Sequence, residues 1–187
     1  MNLITKRVHM NRCNGREVKQ LTLDRDFNVP DARPDALQIM KEQGEVQIEE
    51  VHMMEGKASV KGLLHFQILY ASDGDIPVSE MTGTIPFEET IPLPQAKAED
   101  EISVQAEIGD LKSELINSRK LGMKAIVVLN VTAGSVCDGE GAIDIEGGED
   151  IYTKKRTAEV SYLIFSKKDT LRVRDEWKIP GTKDAMQ

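Results

Sequence analysis

Val60-Lys61-Gly62-Leu63-Leu64-His65-Phe66-Gln67-Ile68-Leu69-Tyr70 is the stretch whose reading decides the fold. Val60, Leu64, Phe66, Ile68 and Tyr70 share one parity, while His65 and Gln67 take the other. Successive side chains of a strand point to opposite faces, so this period of two predicts a half-buried β-strand. Turn chemistry brackets it. Glu55-Gly56-Lys57 precedes it as a link between two strand-like segments, and Asp73-Gly74 follows it. Asn14-Gly15 is a further hairpin signal, because both residues tolerate positive φ, and Asp138-Gly139 reads as the end of another strand.

Working outward, Val46 and Ile48 share a parity, whereas Val51 and Met53 take the opposite one. One extra residue at Glu49-Glu50 restores the pattern, which predicts a β-bulge there. Ala125 to Val131 is apolar on both parities, as in a central strand covered on both faces. Ile102 to Ile108, Val160 to Phe165 and Leu171 to Ile179 also read as strands. One short helix is expected, with Pro34 before it, Asp35 as its cap, Ala36 to Gln43 as its body and Gly44 as its stop. The expected fold is mainly β, an antiparallel β-sandwich or open barrel with that one helix.

The chain has 187 residues, 40% hydrophobic and 30% charged, enough for a domain with a real core. Its net charge of −8 and pI of about 5.0 oppose phosphate backbones and anionic membranes, so no nucleic-acid partner is expected. No apolar run approaches the roughly 20 residues that span a bilayer, so no membrane insertion is expected. Met1 to Met10 lacks the apolar core of a signal peptide. Cys13 and Cys137 read as free thiols of a reducing compartment. Together these features suit a soluble intracellular protein. At 4% aromatics, the chain is poor in the rings that stack on glycans or single-stranded nucleic acid.

The search for chemistry finds no P-loop, no GxGxxG after a strand, no GxSxG elbow and no HExxH. His9, His52 and His65 fall on different strand-like segments and do not have zinc-ligand spacing. Neither cysteine has a base near it in sequence. Asn130-Val131-Thr132 fits a glycosylation sequon but sits in a buried-looking strand. The acidic pairs Glu88-Glu89, Glu99-Asp100 and Glu149-Asp150 put their members on opposite faces and read as solvated turn charges. Asp138 to Asp150 reads as a solvated acidic loop, with calcium binding as the sharper alternative, although the segment lacks the EF-hand order of ligands. No catalytic, cofactor-binding or metal residue is assigned, and no cofactor is expected.

The end of the chain echoes its beginning. Leu21-Thr22-Leu23 through Phe27-Asn28-Val29-Pro30 aligns with Leu171-Arg172-Val173 through Trp177-Lys178-Ile179-Pro180, an offset of 150 from Val29 to Ile179. Asp35-Ala36-Leu37-Gln38 then aligns with Asp184-Ala185-Met186-Gln187. The period is that of a domain. The expected organisation is a β domain over 1–168 and the start of a second, similar repeat over 169–187. Such a segment is expected to pack back on its own chain or to pair with a neighbouring copy, which is a route to a homodimer.

Five stretches, taken together, resemble a known family. They are Phe27-Asn28-Val29-Pro30-Asp31-Ala32 with Pro34-Asp35, Gly44-Glu45-Val46-Gln47-Ile48, Val60-Lys61-Gly62 with Leu69-Tyr70, Ile85-Pro86-Phe87-Glu88-Glu89, and Leu115-Ile116-Asn117-Ser118-Arg119-Lys120. In this order they resemble the SPOCS domain of clostridial spore-coat morphogenetic proteins of the SipL type, over roughly residues 20–135. The resemblance implies a non-enzymatic role in building the spore coat. It places the protein in the mother-cell cytoplasm at the forespore surface, with other spore-coat morphogenetic proteins as partners. Proteins of this kind commonly carry a carboxy-terminal LysM module, which this sequence does not contain. The resemblance supplies no catalytic residues. A ligand-binding β domain that recognises cell-wall glycan is the rival reading. Val29, Pro30, Pro34 and Asp35 read as a signature corner between elements. Asn117, Ser118, Arg119 and Lys120 read either as a partner surface or as a turn whose side chains bond local backbone.

Overall fold

The computed structural model describes residues 2–73 and 77–147, together with the single positions 154, 156, 157 and 159. Six strands account for nearly all of the continuous part: β1 (Asn2–Asn28), β2 (Asp35–Met54), β3 (Lys57–Asp73), β4 (Val78–Pro92), β5 (Glu101–Asn117) and β6 (Lys120–Glu146). They form two three-stranded antiparallel sheets, ordered β1-β6-β5 and β2-β3-β4.

The period read from Val60 to Tyr70 is the inner face of β3. Val60, Leu64, Ile68 and Tyr70 are fully buried and Phe66 nearly so. Both sheets contribute to the same two core clusters. In one, Leu21, Val104, Val127, Leu129 and Val131 of the first sheet meet Val60, Phe87 and Ile91 of the second. In the other, Leu121, Met123 and Ala125 meet Leu64, Phe66, Ile68, Tyr70, Met81 and Ile85. Full burial of each large aliphatic side chain contributes roughly 1.5–3 kcal/mol, so these facing rows hold the sheets together.

Two cross-strand pairs between β3 and β4 match phenylalanine with glycine: Gly62 with Phe87 and Phe66 with Gly83. Each ring lies over the bare backbone of its partner. A methyl group at Gly62 would stand 2.5 Å from Phe87 Cζ and 2.6 Å from the Gln47 carbonyl oxygen. Phe66 also takes the edge of Phe27, with ring centroids 4.6 Å apart.

The bulge predicted at Glu49-Glu50 is present, since the β2–β3 register skips a residue between Ile48 and Glu50. The turn at Glu55-Gly56 is also present, with Gly56 at φ 71°. Ala125 to Val131 lies in the central strand of its sheet, but only one parity is fully buried; Ile126 and Val128 are half-buried on the outer side.

Three expectations are corrected. Asp35 to Gln43 is not a helix but the first half of β2. Bulges between Ala36 and Gln38 and between Ile39 and Lys41 put Ala36, Ile39 and Glu42 on the covered side at three-residue intervals. That spacing imitates a helical face. Asn14-Gly15 is not a hairpin, because β1 runs straight through it and bulges between Cys13 and Gly15. Asp138-Gly139 does not end a strand, because β6 continues to Glu146 opposite β1, with Asp138 facing His9 and Gly139 facing Val8. The expected loop from Asp138 is therefore strand as far as Glu146. The strands expected at Val160 to Phe165 and Leu171 to Ile179, the segment 169–187, and Gly74 of the Asp73-Gly74 turn lie outside the described residues.

Candidate functional site

The chain leaves β1 at Asn28 and enters β2 at Asp35, crossing from one sheet to the other through Val29-Pro30-Asp31-Ala32-Arg33-Pro34. Two prolines leave this link short of backbone donors. Arg33 N–H closes a turn onto the Pro30 carbonyl at 2.9 Å. The β5–β6 turn meets the link at its two ends. Val29 N–H donates to the Arg119 carbonyl at 2.8 Å and Ala36 N–H donates to the Ser118 carbonyl at 2.8 Å. Val29 and Ala36 are both buried, so an unpaired donor at either position would be costly.

Arg119 completes the joint with its side chain. One guanidinium nitrogen donates to the Arg33 carbonyl at 2.7 Å and to Asp35 Oδ1 at 3.1 Å. The other donates to the Pro30 carbonyl at 3.0 Å, the Val29 carbonyl at 3.2 Å and Asp31 Oδ1 at 3.4 Å. A planar fork with five N–H groups can serve this many acceptors; a lysine ammonium cannot. Asn117 supports the turn, its side-chain oxygen accepting Arg119 N–H at 2.9 Å. Tyr70 O–H reaches the Pro34 carbonyl at 3.3 Å from below, and Lys120 pairs with Asp26 at 2.6 Å. Val29, Pro30, Pro34 and Asp35 are thus brought to one corner with Asn117, Ser118, Arg119 and Lys120.

The same corner carries exposed apolar side chains that sequence reading missed. Leu37 and Met40, the residues skipped at the two β2 bulges, are 59% and 60% exposed, and Ile116 beside Asn117 is 47% exposed. Leu37 and Met40 were hidden within the expected helix.

A second polar knot closes the opposite end of the body. The Asn14 side-chain nitrogen donates to both Asp100 oxygens at 2.9 and 3.0 Å and to Ser135 Oγ at 3.0 Å. Lys97 N–H also donates to Asp100 at 2.9 Å. The Lys97 N–H, then the Asn14 amide, hold the Asp100 carboxyl below its usual range against the opposing effect of desolvation. Asp100 is a buried anchor rather than a solvated turn charge.

The three histidines stay apart. His9 meets Asp138, which Arg7 also contacts; His52 lies 2.6 Å from Glu50; and His65 Nε2 is 3.2 Å from Gln47 Oε1. His52, and then Lys61, draw Glu50 below the ordinary carboxylate range. Hydrogen bonding from Arg7, with the charges of Arg7 and His9, does the same for Asp138. Among the described residues, no group of three or more His, Cys, Asp or Glu is placed to hold a metal ion. Gln43, Glu45, His65, Gln67, Thr82 and Thr84 line a shallow, open dent on the outer face of the second sheet. No helix of the described residues is long and apolar enough to cross a membrane.

Fold and site together define an all-β domain of two antiparallel sheets, tied at one corner by an arginine and at the other end by a buried aspartate. Residues 35–116 match the model of the family SipL, SPOCS domain. The resemblance to the SPOCS domain is therefore shown over the run from β2 to the end of β5, and it points to a sporulation-related role. Asp35 opens the matched stretch, and the turn at Asn117 to Lys120 follows its last residue. No curated protein and no solved structure matches the chain.

Proposed function

We propose that this protein is a non-enzymatic assembly module of spore-coat morphogenesis that acts through protein–protein contacts. The observation that carries the reading is the match of residues 35–116 to the SPOCS domain. Its partners on this reading are other spore-coat morphogenetic proteins, met in the mother-cell cytoplasm at the forespore surface. The contact face is the outside of the stapled corner. Leu37 and Met40 early in β2 and Ile116 near the end of β5 stand exposed, and Asp31, Asp35 and Lys120 carry charge in the adjoining segments. An apolar centre with a polar rim is the make-up of a protein-contact patch. Arg119 holds the face in shape by fixing the link and the turn to each other.

The test is a pull-down of the tagged chain from sporulating cells, with an acidic β protein of similar size as control and the captured proteins identified by mass spectrometry. Enrichment of spore-coat morphogenetic proteins over the control is expected. Equal recovery from both baits contradicts the proposal.

A further inference from the structure

The crossover from β4 to β5, Leu93 to Asp100, is held at both of its ends. Leu93 and Ala96 are buried in the core. Leu93 N–H donates to the Gly56 carbonyl at 2.8 Å, and Gly56 N–H donates to the Ala96 carbonyl at 2.9 Å, which lays the crossover over the β2–β3 turn. At its far end Asp100 accepts from Lys97 N–H and, through both oxygens, from the Asn14 side-chain nitrogen.

One dipeptide of β1 receives this crossover. Asn14 is the extra residue of a bulge, since Cys13 pairs with Gly134 and Gly15 with Ala133. Its amide is spent on Asp100 and on Ser135 Oγ of β6. Gly15 seats Leu93: a methyl group there would stand 3.0 Å from Leu93 Cδ2 and 3.3 Å from its Cβ. The latch thus uses a donor amide at 14 and a bare backbone at 15.

That pairing carries a chemical liability. Asn-Gly occurs once in the sequence, and a glycine has no side chain to shield its nitrogen from the preceding amide. On losing its proton, Gly15 N can attack Asn14 Cγ. The N–Cγ bond forms, the Cγ–Nδ2 bond breaks, and Nδ2 leaves as ammonia with the proton that Gly15 N gave up. Water then opens the succinimide to aspartate or isoaspartate. In the fold, Asn14 and Gly15 are held within β1 and Nδ2 is held by Asp100 and Ser135, so the attack needs a local opening of the bulge.

The product cannot remake the latch. A carboxylate at position 14 replaces the donor with acceptors and sets like charge against the buried Asp100. The isoaspartate route also lengthens the backbone of β1 at the bulge.

We infer that Asn14-Gly15 is a deamidation site guarded by Asp100 and Ser135, and that its conversion irreversibly releases the Leu93–Asp100 crossover. This goes beyond the assembly role proposed above and does not depend on it.

The test ages the full chain in mildly alkaline buffer and reads conversion at Asn14 by peptide mapping with mass spectrometry. The urea-unfolded chain sets the unguarded rate. Folded wild type is expected to convert at least about tenfold more slowly than the unfolded chain, and Asp100→Ala at least about tenfold faster than folded wild type. Hydrogen exchange on Asn14→Asp reads the consequence. The Gly56, Leu93 and Ala96 amides should exchange at least about tenfold faster than in wild type, with Leu64–Tyr70 amides of β3 unchanged. Should Asp100→Ala lose β3 protection, Ser135→Ala takes its place, with about threefold faster conversion expected. Folded wild type that converts as fast as the unfolded chain, or as fast as the folded variant, overturns the inference. So does Asn14→Asp if it leaves the crossover amides unchanged, or if it loses β3 protection along with theirs.

Discussion

The strands β1 and β6 lead two different lives. Between Gly15 and Asn28 on one, and Lys120 and Ala133 on the other, β6 lies between β1 and β5 and the sheet packs on the second sheet; Leu121, Val127, Leu129 and Val131 are almost or wholly inaccessible there. Beyond the bulge at Asn14, the same two strands form, among the described residues, a two-stranded arm on which Leu3, Met10, Val136 and Ile143 are exposed. The pairing is the same antiparallel ladder throughout. What changes is apolar cover, and a two-stranded ribbon alone is marginal in water. Backbone pairing can thus draw a long strand while burial decides which part of it is stable.

Substitutions can sharpen or break this contrast. The largest effect is expected from Leu64→Ala in the body, a fully buried site whose truncation should cost about 2–5 kcal/mol in a urea melt. Met10→Ala in the arm is its counterpart and should stay within about 0.5 kcal/mol of wild type. A comparable loss at Met10 would abolish the distinction between the regions. Gly62→Ala comes next, at about 1–3 kcal/mol, because the added methyl group meets both the Phe87 ring and the Gln47 carbonyl oxygen. Arg119→Lys keeps the charge and loses the fork. It should cost roughly 1–2 kcal/mol, reduced by the partial exposure of the site, with most of the loss shared by Arg119→Ala.

The smallest expected effect is pH-dependent. The Asp100 carboxyl is held below its usual range in the fold, so the unfolded chain takes up its proton first. Its contribution is present above the unfolded value, about 3.9, and is lost as pH falls through the lower folded one. Asp100→Asn should therefore flatten the acid limb of a stability–pH curve without moving its neutral plateau far. Identical acid limbs would remove Asp100 from the account.

Much of the body was legible because its pattern is local. The parity of Val60 to Tyr70, the slip at Glu49 and the Gly56 turn each declare themselves within a few residues. The start of β2 misled because two bulges set Ala36, Ile39 and Glu42 three apart, and spacing alone does not separate a doubly bulged strand from a helix. Asn14-Gly15 misled because its turn chemistry yielded to tertiary bonding, with Asn14 spent on Asp100 and Ser135. Asp138-Gly139 misled because β1, far away in sequence, supplied a partner for β6. The corner could be suspected as two motifs but not as one site. Every bond of the Arg119 side chain runs to a residue 84 to 90 positions away, and nothing in local spacing records that meeting.

The claim that the outside of the stapled corner is the contact face is tested most directly with Leu37→Asp/Met40→Asp. Both side chains already face water, so the double variant should melt within a few degrees of wild type. Used as bait in sporulating-cell extract at equal loading, it should lose the spore-coat proteins that the wild-type chain retains. Undiminished recovery of those proteins by a folded double variant would contradict the account.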